Sequence, residues 1–112
     1  MRIDYCFTTL NEYIKAERGN KFAAANIKKK ETEVARVHFL SKICKTPCKL
    51  KFIWHVKNKR KDLDNITFAK KFILDGMVKA NAIENDNLNH IVGFIDEVIF
   101  DGNDYVEIER MD

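Results

Sequence analysis

Apolar residues alternate with polar ones in one segment near the middle of the chain and recur at helical spacing in the segment after it. Residues 49–57 (KLKFIWHVK) alternate and are rich in β-branched and aromatic side chains, which predicts a strand. In residues 65–80 apolar side chains recur every three or four positions, which predicts a helix that Asp64 or Asn65 can cap. A strand followed by a helix is therefore expected at the centre of the chain.

Further elements are predicted on both sides of this pair. Residues 9–18 can form a short helix that Thr8 or Thr9 caps and Gly19 ends, and residues 21–43 form a longer, loosely periodic helical segment. Residues 90–101 and 105–109 have the composition of strands, and the polar residues 101–104 between them predict a hairpin. These elements predict a mixed α/β (α+β) fold with a small mixed β-sheet, two N-terminal helices and one central helix.

The length and composition set the expected domain organisation. A chain of 112 residues with 46% hydrophobic content can bury one core, so we expect a single domain over residues 1–112. No segment near Met1 resembles a secretion signal and no apolar run approaches membrane-spanning length, which predicts a cytoplasmic protein without membrane contact. Three cysteines are an odd number and are expected to be free thiols.

Charge is unevenly distributed along the chain, although the net charge is only +3. Residues 1–61 carry 16 Lys or Arg against 5 Asp or Glu, net +11, whereas residues 62–112 carry 4 against 12, net −8. A basic half suits a phosphate backbone, and an acidic half suits a divalent cation. Two oppositely charged surfaces that face each other within the fold would give the same pattern, so charge alone leaves both interpretations open.

Three acidic residues at the two ends of the central helix are the candidates for metal chemistry. Asp62 and Asp64 follow the basic run 59–61 (KRK), and Asp86 lies in the polar turn after the helix. Two carboxylates at i, i+2 and a third from another loop would suit Mg²⁺, provided that the later loop folds back to the same end of the sheet. Such an ion can activate water for phosphodiester hydrolysis. The alternative is that Asp62 and Asp64 only cap the helix.

The order of these residues resembles a known family signature. The run 59–65 (KRKDLDN), a Lys-bearing helix with Asp75, and the turn 83–86 (IEND) are similar to the motif of the RusA family of Holliday junction resolvases. The resemblance covers about residues 52–98. It implies a homodimeric Mg²⁺-dependent endonuclease, with Mn²⁺ as an alternative ion, that nicks four-way DNA junctions in recombination and repair. Asp62, Asp64 and Asp86 would bind the metal, and Asn65 would be a positioning or capping residue.

Two positions depart from the family pattern. The segment between Asn65 and Asp75 is longer than the pattern, so counting back from Asp75 places the family's active-site lysine at Lys71, with Lys70 as the alternative. Helical geometry puts Lys70 on the flank of the apolar stripe and turns Lys71 outward, with Asp75 at i+4. Asn85 stands where many relatives have an acid, so a second metal ion is left open.

Basic residues and surplus apolar residues suggest the partners. The candidate contacts to DNA phosphates, which converge at high charge density in a four-way junction, are Lys28, Lys29, Lys30, Arg36, Lys59, Arg60 and Lys61. The apolar residues in 94–100 exceed what so small a domain can bury on both faces of a strand, which predicts a homodimer. The competing hypothesis is a nucleic-acid-binding module without catalysis. His55 is expected on the surface, and Phe52, Trp54 and Phe72 are expected in the core.

Overall fold

A computed structural model describes residues 1–112 and shows helices packed on one face of a four-stranded mixed sheet. In chain order the elements are β1 (Arg2–Ile3), α1 (Leu10–Gly19), α2 (Lys21–His38), β2 (Cys48–Val56), α3 (Leu63–Thr67), α4 (Lys70–Lys79), β3 (Ile91–Phe100) and β4 (Tyr105–Met111). The predicted mixed α/β fold is confirmed. None of the helices combines the length and apolar character that crossing a membrane would require.

The sheet is organised around β2. The strand order is β1-β4-β2-β3, with β2 parallel to β3 and antiparallel to β4, so that Trp54 is level with Val98 on one side and Val106 on the other. The predicted hairpin is therefore wrong. Residues 101–104 do form a turn, but it crosses the end of β2, where the Asp101 N–H donates to the Val56 carbonyl at 3.3 Å. Because β2 lies between β3 and β4, its backbone forms hydrogen bonds with both of these strands.

Alternation along β2 builds the core. Leu50, Phe52, Trp54 and Val56 are buried, whereas the intervening lysines are more exposed. Phe72 from α4 lies in the same cluster, and each such side chain contributes about 1.5 to 3 kcal/mol on burial. The expectation that Phe52, Trp54 and Phe72 pack in the core is confirmed.

The two N-terminal helices begin where the sequence predicts. Thr9 and Glu12 form a reciprocal capping box at the start of α1, and the Asn20 side chain accepts the Phe22 N–H at the start of α2. The second helix ends at His38 rather than at residue 43. The chain turns immediately afterwards, and it takes a left-handed backbone at Ser41, with φ of 61°.

α2 and α4 pack at unusually short range because a glycine lies between them. A Cβ at Gly76 would be 2.5 Å from the Ala35 Cβ and 2.8 Å from the Thr32 carbonyl oxygen. The missing side chain lets α4 approach the backbone of α2 directly. This contact holds the two helices together.

The expected single central helix is divided into α3 and α4. Phe68 and Ala69, between the two, keep right-handed helical dihedrals, with φ of −51° and −62°. The regular helical hydrogen bonds are nevertheless interrupted there, without a proline or a glycine. α3 is anchored near α1 by the Asn65 Oδ1 atom, which accepts the Asn11 N–H at 3.0 Å. α4 then runs back across the face of β2, and its Met77 lies near Leu50 in the first half of that strand.

The sheet has two unlike edges. One edge is β1, which is only two residues long, and the other is the ten-residue β3, which pairs with β2 alone. The exposed apolar residues of β3 are Val92, Phe94, Ile95, Val98, Ile99 and Phe100. The surplus of apolar surface expected from the sequence is therefore located on a free sheet edge.

Candidate functional site

Asp62 and Asp64 lie at the carboxyl end of β2, after an exposed loop. Asp62 is the first flanking residue of α3, yet its side chain makes no capping hydrogen bond. Asp64 Oδ1 accepts only the neighbouring Asn65 N–H, at 3.0 Å. Both side chains are exposed, and neither takes part in an ion pair. The capping interpretation thus finds no support at Asp62, and both carboxylates have oxygens free for a ligand.

The basic run lies directly beside these carboxylates. The Lys59 ammonium is 5.2 Å from the centre of the Phe100 ring, so the loop rests on the last residue of β3. Arg60 is exposed, and its N–H donates to Asn58 Oδ1 at 3.0 Å. Lys61 is half-buried at a small cavity. The basic run therefore directly precedes Asp62 and Asp64 in the loop at the carboxyl end of β2.

Asp86 lies at the opposite end of the sheet. β3 is parallel to β2, and its first residue Ile91 is level with Cys48, the first residue of β2. The nine residues of β2 span about 26 Å, which separates this end from Asp62 and Asp64. The loop after α4 therefore does not fold back as the metal hypothesis required within one chain. No group of three or more His, Cys, Asp or Glu side chains is arranged to hold a metal ion.

Asp86 instead lines a groove between α2 and α4. The other polar residues of this groove are Lys28, Lys29, Thr32, Asp75 and Lys79. The groove thus combines three lysines with two carboxylates. Two of the expected phosphate contacts, Lys28 and Lys29, lie there, whereas Lys30 is exposed outside it and Arg36 pairs with Glu33.

The two candidate lysines have different environments. Lys70 Nζ lies 2.5 Å from Asp96 Oδ2 and 4.4 Å from the centre of the Phe94 ring, so it is held against β3. Lys71 is exposed, and its Nζ is 3.8 Å from Asp75. Both lysines have an acidic partner other than Asp62 or Asp64.

Asp96 was not identified from the sequence. Its Oδ1 accepts the Trp54 indole N–H at 3.0 Å, while its Oδ2 binds Lys70. An acid inside the otherwise apolar run 91–100 was the available signal, because such a residue needs a partner when it is partly buried. Asp96 ties α4 and β2 to the edge strand.

His55 is buried, which corrects the expectation that it lies on the surface. It is 8% exposed, and its two ring nitrogens lie 2.6 Å from Asp101 Oδ2 and Glu107 Oε1. The imidazole ring is thus held between two carboxylates, one at each nitrogen. The hydrogen bond from His55 lowers the pKa of Asp101. The cluster joins the ends of β2, β3 and β4.

A second buried acid lies in α2. Glu31 is 1% exposed; its Oε1 accepts the Thr8 N–H at 2.5 Å, whereas its Oε2 has no partner. Burial raises the pKa of Glu31, against the opposing effect of the hydrogen bond from Thr8. The charged form of Glu31 therefore destabilises the folded state.

Comparison with protein-family models and with curated proteins finds no match for this sequence. The donor chemistry of Asp62 and Asp64 suits a hard divalent cation, but two exposed side chains from one loop do not make the oxygen cage that such a cation prefers. Within one chain the residues present do not complete a metal site.

Proposed function

We propose that this protein is a metal-dependent endodeoxyribonuclease that acts on four-way DNA junctions, as a homodimer in the cytoplasm. The observation that carries the proposal is the pair of exposed carboxylates, Asp62 and Asp64, which take part in no ion pair although they follow the basic run 59–61 at one end of the sheet. The motif resemblance supplies the class of substrate.

The basic residues have a direct role under this proposal. Lys59, Arg60 and Lys61 would offset the charge of the phosphate that is cut, and they would position the strand over Asp62 and Asp64. Mg²⁺ or Mn²⁺ dependence follows from the hardness of carboxylate oxygen ligands.

A nucleic-acid-binding module without catalysis is the second candidate. The separation of Asp86 from Asp62 and Asp64 favours it, because it leaves a single chain without a third acidic ligand. In that case the basic run and the lysine groove would bind DNA, and the acids would have no role in chemistry.

Cleavage of a labelled synthetic four-way junction tests the first candidate against the second. We expect paired nicks with Mg²⁺ or Mn²⁺ in the junction and none in the matching linear duplex. Asp64→Asn should reduce the rate at least about a hundredfold, in line with loss of an essential group. Glu17→Gln, which changes an exposed acid of α1, is the matched control and should cut at the parent rate. Junction binding without cleavage in either metal would leave the binding module as the function.

A further inference from the structure

Two cysteines lie in contact where β2 begins. The Cys44 Sγ and Cys48 Sγ atoms are 3.9 Å apart, and both thiols are free. Backbone hydrogen bonds hold the two residues in place. The Cys44 N–H donates to the Ala82 carbonyl at 2.8 Å, and the Cys48 N–H donates to the His90 carbonyl at 2.9 Å. The fold itself therefore positions the two sulfurs side by side.

The distance between the sulfurs suits two ligands of one metal ion. A metal–thiolate bond is about 2.3 Å long, so two thiolates on one ion lie between roughly 3.8 Å apart, for a tetrahedral angle, and roughly 4.6 Å, for a linear arrangement. The observed separation of 3.9 Å falls within this range. A disulfide bond is only about 2 Å long, so oxidation would require the sulfurs to approach by almost 2 Å. The pair is closer to the geometry of a metal site than to that of a disulfide.

The cavity beside Cys44 offers soft donors and no hard ones. Its volume is about 190 Å³, and most of the residues that line it are apolar. Two of them, Met1 and Met77, have a thioether sulfur, which is polarizable and a weak donor. No aspartate, glutamate or histidine lines this cavity, and no third His, Cys, Asp or Glu joins the two cysteines in a metal-binding group. An ion would therefore meet sulfur and no carboxylate oxygen.

This set of donors selects the kind of ion. Mg²⁺ and Ca²⁺ require several oxygen ligands, which the cavity lacks. Structural Zn²⁺ takes four protein ligands in almost every site, and only two are present here. Thiolates and thioethers favour Cu(I), a soft ion with a filled d shell that two thiolates can hold by themselves. Cu(I) is therefore the ion that matches the two sulfurs.

Positive side chains lie where a thiolate complex would be negative. Binding of Cu(I) releases one proton from each thiol, so two thiolates and one monovalent cation leave one net negative charge. Arg110 and Lys42 line the same cavity as Cys44. Lys42 has no carboxylate partner, and its Nζ lies 3.8 Å from the Met1 sulfur. An anionic complex would give this lysine the partner that it lacks.

Burial keeps the free pair protonated. Desolvation, together with the neighbouring Cys48 thiol, raises the pKa of Cys44 to about 11, against the opposing effect of Arg110. A protonated thiol is a poor nucleophile, so the pair should be slow to form a disulfide. A metal ion that binds thiolate strongly displaces the proton when it binds. The pair is thus inert toward oxidation but open to a soft metal.

We propose that Cys44 and Cys48 form a two-coordinate thiolate site for Cu(I), with the apolar cavity as its entrance. Cys44 is half-buried and lines that cavity, so an ion can reach its sulfur, whereas Cys48 is buried. The length of β2 separates the site from Asp62 and Asp64. The site therefore does not depend on the proposed nuclease function. A bound ion would join the segment before β2 to the strand itself.

Anaerobic titration with Cu(I) tests the site. The ion is supplied as its coloured bicinchoninate chelate to the full chain carrying Cys6→Ser, which removes the only cysteine outside the pair. We expect the protein to take one Cu(I) per chain from the chelate, with loss of its colour. Cys44→Ser in the same background should weaken binding at least about a hundredfold, because a ligand matters at least as much as the groups that orient it. Failure to take the ion, or an unchanged affinity in Cys44→Ser, would overturn the proposal.

Cys48→Ala provides a second variant that removes the other sulfur. It should weaken Cu(I) binding as strongly as Cys44→Ser does, and circular dichroism checks that both variants keep the parent fold. Cu(I) binding at the parent affinity in a folded Cys48→Ala chain would mean that one thiolate is sufficient, which contradicts a two-thiolate site.

Two further measurements test the coordination itself. X-ray absorption at the copper edge should show two sulfur neighbours and no nitrogen or oxygen, and additional light-atom neighbours would contradict the two-coordinate assignment. Zn²⁺ in the same Cys6→Ser chain should be lost to a chelator that leaves Cu(I) bound, because the pair lacks the further ligands that Zn²⁺ takes. Zn²⁺ held as tightly as Cu(I), or half an ion per chain in a dimer, would also overturn the proposal.

Discussion

Two apolar regions of the molecule differ in how they are packed. The contact between α2 and α4, the closed region, leaves no space between the helices, whereas the free edge of β3, the open region, is exposed to solvent. At Gly76 the two helices meet at backbone distance, and no side chain could be added. On β3, apolar side chains on both faces of the strand lie exposed beside free backbone groups. The difference separates a region that the chain packs within itself from one that stays open to solvent.

The closed region and the open region therefore make different demands on sequence. A glycine is required at 76 because any Cβ meets Ala35 and the backbone of Thr32 and Arg36 within 3 Å. β3 has no such restriction on volume, since its outer side faces solvent in a single chain. Substitutions in the two regions should accordingly change different quantities, the stability of the fold in one and assembly in the other.

The largest effect is expected for Gly76→Ala. The added methyl group must displace the backbone of α2, so the free energy of unfolding should fall by about 3 kcal/mol and Tm by roughly 10 °C or more. Thermal unfolding followed by circular dichroism measures both. Gly19→Ala is the matched control, because a Cβ there meets nothing within 4 Å at the end of α1, and it should be neutral or slightly stabilising. Equal losses in the two variants would mean that the close contact at Gly76 does not determine stability.

A charge on the open edge should act on assembly rather than on folding. Val98 is 38% exposed, so Val98→Lys should change the stability of the single chain by less than about 1 kcal/mol. In the proposed homodimer the lysine would be buried at the interface, so association should weaken at least about tenfold, as measured by sedimentation equilibrium. Val37→Lys, at an exposed valine of α2, should leave association unchanged. A Val98→Lys variant that remains dimeric would contradict an interface on β3.

The smallest effect is expected for Glu31→Gln in the closed region. Because the folded pKa of Glu31 is raised, its charged form destabilises the fold; this penalty is absent below the unfolded pKa and complete above the folded one. The amide keeps an acceptor for the Thr8 N–H and removes the charge. Tm should therefore rise by a few degrees at pH 7, and the gain should disappear in acid below the ordinary glutamate range. A gain of the same size at both pH values would show that charge is not its cause.

Most elements of the fold could be predicted from local patterns, but their pairing could not. Residues 49–57 and 90–101 alternate or carry β-branched residues, and they correspond to β2 and β3 within a residue. The turn at 101–104 was also predicted. A local turn signal does not show whether the strands on either side of the turn pair with each other, and here β2 lies between them. The break between α3 and α4 at Phe68 and Ala69 has no signal in the sequence, because both residues keep helical dihedrals.

Only the part of the candidate site formed by neighbouring residues, Asp62 and Asp64, could be predicted from the sequence. The position of Asp62 and Asp64 follows from the end of a strand and the start of a helix. The position of Asp86 depends on the direction of α4 and on the parallel pairing of β3, which are long-range properties. His55 was misplaced for a related reason: its partners Asp101 and Glu107 come from distant strands.

The free β3 edge also links solubility to assembly. A ten-residue strand that is apolar, open along its backbone and without proline is the kind of segment that seeds cross-β aggregation when it is uncovered. In a homodimer that covers this edge, heat or dilution that separates the copies would uncover it. The chain should therefore precipitate from its dissociated state well before its helices unfold, and Val98→Lys, although monomeric, should remain in solution longer than the parent.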